Sequence, residues 1–127
     1  DPHDQPEERQ AACARIRRAM AANPYMVAGK GRFCTRIMEV AGGAALVKAG
    51  AEGVHAAALP QLGLGIALKV DDGARRAAEV IMGRILCHLE VLDGSQAASL
   101  HDVLEPAVSD RAGSAVGIIR MAETSPL

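Results

Sequence analysis

Three short apolar segments, residues 44–49, 53–59 and 64–70, follow one another with almost nothing between them. Gly50-Ala51-Glu52 fills the first gap and Pro60-Gln61-Leu62-Gly63 the second. A parallel crossover needs about a dozen residues or more, so gaps this short and glycine-bearing favour antiparallel hairpins. The pattern is bounded on both sides. Gly42-Gly43 closes a helical periodicity before it, and Asp71-Asp72-Gly73 marks the return to one after it.

The flanks read as helix. Cys13, Ile16, Ala19 and Met20 recur at helical spacing, which predicts an amphipathic helix over 7–22. Pro6 suits its first turn, Glu7 and Glu8 sit beside its positive end, and Asn23-Pro24 ends it. Residues 1–6 form a loose lead-in. After a turn at Gly29-Lys30-Gly31, the residues Phe33, Cys34, Ile37, Met38 and Ala41 mark a second, shorter helix. Beyond the meander, Asp71 or Asp72 is placed to cap a helix over 74–92, with Ala77, Ala78, Ile81, Ile85, Leu89 and Leu92 as its buried stripe. Asp93-Gly94-Ser95 stops that helix. Residues 96–104 predict another, stopped by Pro106, and 115–121 a late strand returning to the sheet. The expected fold is α+β, an antiparallel sheet packed by helices, in a single domain over residues 1–127.

Composition excludes several functions. With one Phe, one Tyr and no Trp, the core falls to Ala, Val, Ile, Leu and Met, and few rings remain for stacking on bases. A formal net charge of −1 gives no field to recruit nucleic acid or anionic membrane, and Arg15, Arg17 and Arg18 read as a solvated helix face. No apolar run reaches the ~20 residues that cross a bilayer. Cys13, Cys34 and Cys87 are too few and too far apart for a disulfide framework, and neither they nor the scattered histidines His3, His55, His88 and His101 form a zinc motif. Cys13 and Cys87 are expected in the core, His55 on a sheet face, and the protein in a reducing, cytoplasmic compartment. The start at Asp1 rather than Met suggests a processed, cloned or fragmentary beginning.

Four segments in order carry a family resemblance: Gly29-Lys30-Gly31-Arg32-Phe33-Cys34-Thr35, Lys48-Ala49-Gly50-Ala51-Glu52-Gly53-Val54, Ala58-Leu59-Pro60-Gln61-Leu62-Gly63-Leu64-Gly65 and Lys69-Val70-Asp71-Asp72-Gly73. Together they resemble the C-terminal part of the asparaginase II family, the Rhizobium-type L-asparaginases, from about Tyr25 to Glu90. Gly113-Ser114-Ala115-Val116-Gly117-Ile118 is similar, more weakly, to that family's last strand. The resemblance implies hydrolysis of L-asparagine to L-aspartate and ammonia on a fold like that of serine β-lactamases and penicillin-binding proteins. It also implies a serine nucleophile in a Ser-x-x-Lys motif, a zinc held by Cys, Lys and Cys in the N-terminal part, and a homodimer. No cofactor is expected in the present chain. None of Ser95, Ser99, Ser109, Ser114 and Ser125 has a lysine three positions on. Alone, the chain is therefore expected to be inactive, its partners being the amide substrate and the missing N-terminal half or a second subunit.

By the same resemblance Lys48 is the catalytic candidate and Cys34 lies close to the substrate pocket. A cation beside a nucleophilic serine favours developing negative charge and helps hold a carboxylate. Gly50 allows close backbone approach, and Glu52 is placed to orient Lys48; both are substrate-binding candidates, with Gly53 as a second close-approach glycine. At a helix start the Cys34 thiol is open to a lowered pKa from the helix dipole. No residue is assigned to a metal. Ala49 stands where penicillin-binding proteins carry a hydroxyl, which speaks against a β-lactam substrate. The rival reading is a non-catalytic binding or scaffold module that kept the fold.

Overall fold

The computed structural model describes residues 5–122. Helix α1 (Glu7–Ala22) leads into a short α2 (Pro24–Ala28) and then α3 (Phe33–Ala41). Strands β1 (Leu46–Ala49), β2 (Val54–Leu59) and β3 (Leu64–Lys69) follow, then α4 (Arg75–His88), α5 (Gly94–Ser99), α6 (His101–Leu104), β4 (Ala107–Ser109) and β5 (Ala115–Ile118). The chain is α+β, with antiparallel sheets packed by helices.

The meander forms as the connection lengths require. The strand order is β1-β2-β3, antiparallel throughout, with Lys48 opposite Ala56 and His55 opposite Leu68. Burial alternates along β2: His55, Ala57 and Leu59 face inward while Val54 and Ala56 are exposed. This is the period-2 signature of a sheet covered on one face. Val47, Ala57 and Leu59 meet Ile37 and Met38 of α3 and Met82 and Leu86 of α4 in one apolar core. The outer face carries small residues, Ala56 and Ala67 beside Lys48.

Turn chemistry fixes the joints. Gly42 ends α3 in the left-handed conformation. Gly53, at φ +70°, closes the β1–β2 turn, where the Gly50 N–H donates to the Val54 carbonyl at 2.7 Å. A Cβ on Gly53 would sit 2.3 Å from Val70 Cγ2 and 3.0 Å from the carbonyl carbon of Gly73. Close approach is thus demanded by the chain's own β3–α4 connection. Asp72 sits two residues ahead of the N-cap Ala74, accepting from its N–H at 2.9 Å while pairing with Arg76 at 2.6 Å. Asp93 both follows α4 and caps α5, in a reciprocal box with Gln96.

Several expectations are corrected. The α4 side chains fully buried are Ala78, Val80, Met82 and Leu86; Ile81, Ile85 and Leu89 are only half-buried. The apolar residues of this helix spread over a broad arc, and packing selected the register one position on. Helix α4 ends at His88, and Glu90 takes φ +56°. Helix α1 buries no residue: Cys13 is exposed and Ile16 is 59% exposed. Cys87 is half-buried rather than fully in the core. The late strand does not return to the meander. It pairs with β4 in a separate two-stranded sheet whose side chains are all exposed. Of the lead-in, residues 1–4 lie outside the described residues, as do His3 and Ser125.

Candidate active site

Two of the residues singled out in the sequence, Lys48 and Cys34, meet at the edge strand β1. Lys48 leaves β1 from the outer face and its Nζ donates to the Ala49 carbonyl at 3.0 Å. Cys34 comes from the first turn of α3, on the helix side. Both line one cavity of about 190 Å³. Its other polar walls are Arg32, just ahead of α3, and Glu79 of α4. The apolar floor includes Phe33 and Ala49.

Local structure explains the placement. The turn at residues 29–31 reverses the chain with two positive-φ glycines, Gly29 and Gly31. The buried Thr35 hydroxyl donates to the Gly29 carbonyl at 2.7 Å and ties this turn to α3. That bond fixes where Arg32 and Cys34 stand relative to the sheet. The Gln96 side-chain amide donates to the Val40 carbonyl at 2.9 Å, and the Arg36–Asp102 ion pair holds α3 to α6. Arg84 of α4 pairs with Glu105 just past α6, so α6 bridges α3 and α4, the two helices that bring Cys34 and Glu79 to the cavity.

Charge around the cavity is mixed. Burial pushes the Cys34 thiol above its ordinary value; the Ala49 backbone and the Lys48 ammonium pull it back, and Glu79 adds to the rise. The expected lowering at a helix start is therefore reversed, because desolvation outweighs the Ala49 backbone hydrogen bond and the Lys48 charge. The thiol is held as a small, protonated, weakly polar wall.

His55 lies behind this cluster. It is 0% exposed, packs edge-on against Phe33 with ring centroids 5.7 Å apart, and neither ring nitrogen has a hydrogen-bond partner among the described residues. Burial is the chief reason its pKa is lowered; Lys48 works in the same direction and Glu79 against it.

Gly50 and Glu52 stand on the exposed turn after Ala49 and are not among the cavity-lining residues. Glu52 takes φ +54° there. Arg32 and Glu79 are the residues that the sequence reading missed. Arg32 stands within the segment 29–35, where its side chain has no role that spacing alone reveals. Glu79 is masked by Arg75 four positions earlier, a spacing that reads as an ordinary surface pair on a helix.

A Cys-Lys-Cys zinc cluster does not fit the described residues. Cys13 is exposed, Cys34 buried and Cys87 half-buried, and among the described residues no three of His, Cys, Asp and Glu surround a common point. No described helix is long and apolar enough to cross a membrane.

The arrangement can supply positive charge, a carboxylate and a thiol to a small polar molecule. Compared with known families, the chain matches the family model described as L-asparaginase II over residues 1–121. No curated protein matches it.

Proposed function

The chain belongs to the L-asparaginase II family, and from that premise we propose that it forms the sheet-side wall of an amidohydrolase site for L-asparagine. One observation carries the reading: Lys48 and Cys34, from separate motifs and opposite sides of a sheet edge, line the same small cavity.

The serine that opens the reaction comes from protein outside these 127 residues, since no serine here has a lysine three positions on. Serine oxygen attacks the side-chain amide carbon, and the carbonyl oxygen takes the negative charge. Collapse expels ammonia and leaves an acyl-enzyme; water then cleaves the ester and releases aspartate. Lys48 supplies positive charge to the oxygen that becomes anionic, an interaction stronger in the transition state than before it. Cys34 shapes the pocket as a neutral thiol. Gly50 and Glu52 stand on the adjoining exposed turn, outside the cavity lining, and have no substrate contact in this reading. The meander with α4 corresponds, in this reading, to the C-terminal part of a serine β-lactamase-like fold, and the sparse, unpaired cysteines suit a reducing compartment.

The purified chain should release no ammonia from millimolar asparagine. Turnover that persists through repurification and vanishes on mutating a residue of this chain would overturn that expectation. In an enzyme assembled with the Ser-x-x-Lys segment, Lys48→Met should lower kcat about 100- to 1,000-fold. An unchanged rate removes Lys48 from the mechanism.

A further inference from the structure

We propose that the cavity reads both ends of a free α-amino acid: Glu79 receives the α-ammonium and Arg32 the α-carboxylate, leaving Lys48 for the reacting amide. This rests on the amide-hydrolase reading of the same site and adds to it a means of selection.

The three charges reach the cavity from three separate elements: Arg32 from the residue before α3, Lys48 from β1 and Glu79 from α4. Glu79 is half-buried, yet it makes no ion pair or side-chain hydrogen bond among the described residues. Among the described residues Arg32 makes none either, and Lys48 donates to its neighbour's carbonyl alone. Two cations and a carboxylate thus line one cavity without neutralising one another. Elsewhere the fold closes such pairs readily, as at Arg36–Asp102, Arg76–Asp72 and Arg84–Glu105.

Separated charges of this kind suit a ligand that is itself zwitterionic. A carboxylate accepts from an ammonium, and a guanidinium fork matches a carboxylate. The cavity's net charge is one positive. A neutral zwitterion leaves that charge unspent until attack on the amide creates one negative oxygen, and site and reacting substrate then balance. A cavity of about 190 Å³ is below the ~300–1,000 Å³ of pockets for drug-sized ligands, which fits a small amino acid.

The test is a binding cycle with the chain as it stands, labelled with ¹⁵N and followed by amide shifts. The probes are L-asparagine, succinamate, which lacks the α-ammonium, and 3-aminopropanamide, which lacks the α-carboxylate. Glu79→Gln should weaken L-asparagine about 10-fold or more and leave succinamate unchanged. Arg32→Gln should weaken L-asparagine and succinamate by about 3- to 10-fold, leave 3-aminopropanamide unchanged, and be partly rescued by Arg32→Lys. A purely structural role would lower all three probes together, and that result overturns the proposal. So does the absence of any amino-acid-dependent shift around residues 32, 48 and 79 up to the solubility limit. If another α-amino acid binds with the same sensitivity to Glu79→Gln while asparagine does not, the clamp stands and the asparagine reading falls. If asparagine binds and is hydrolysed in the assembled enzyme while Glu79→Gln has no ligand-selective effect, the clamp falls and the reading stands.

Discussion

His55 shows how one side chain can set a pH limit on a fold. Its two ring nitrogens are buried without partners among the described residues, and burial lowers its pKa from the ordinary 6.5. An unfolded chain takes up that proton near 6.5, whereas the folded chain resists it. The stability that neutral His55 permits is therefore complete above about 6.5 and is lost as pH falls below it. The acidic groups act in a separate window. Asp72, Asp93 and Asp102 are held below their ordinary 3.8, each chiefly by hydrogen bonds, so their contribution fades only below that value. The urea midpoint should thus decline between about pH 7 and pH 5, and the decline should flatten in His55→Leu. At neutral pH that variant, which removes two unsatisfied polar atoms while keeping the bulk, should be more stable by about 1 kcal/mol. A decline of equal slope in the variant would exonerate the histidine.

The three strands and α3 were legible in the sequence because short glycine turns and a bounded apolar periodicity leave few alternatives. The register of α4 was not. Its apolar residues cover more than one face, and only contact with Val47, Ala57 and Leu59 selects Met82 and Leu86 over Ile81 and Ile85. Leu86→Ala should accordingly cost about 2–4 kcal/mol, and Ile85→Ala distinctly less. Equal losses in chemical denaturation would restore the stripe that the spacing suggested. Helix α2 and strand β4 escaped because five residues opening on a proline and three residues after another carry too little pattern. The site was half legible. Lys48 and Cys34 stand in recognisable motifs, but the cavity joining them to Glu79 exists only after α4 has packed, and no local spacing encodes that meeting.

Family membership over residues 1–121 takes in both the meander and the β4–β5 hairpin, yet the structure ties them together unequally. The meander shares its core with α3 and α4. The hairpin is two short strands, irregular in register at Val108 and Ser109, with Val116 64% exposed. An isolated pair of strands is marginal in water. The molecule should therefore keep two clocks. In deuterated buffer, the hairpin amides should exchange on the timescale of brief local openings, while those of Val47, Ala57 and Leu86 wait for the whole fold to come apart. Trypsin should find the slack too, cutting first at Arg111 in the hairpin's turn and releasing a tail whose loss the remaining core scarcely registers.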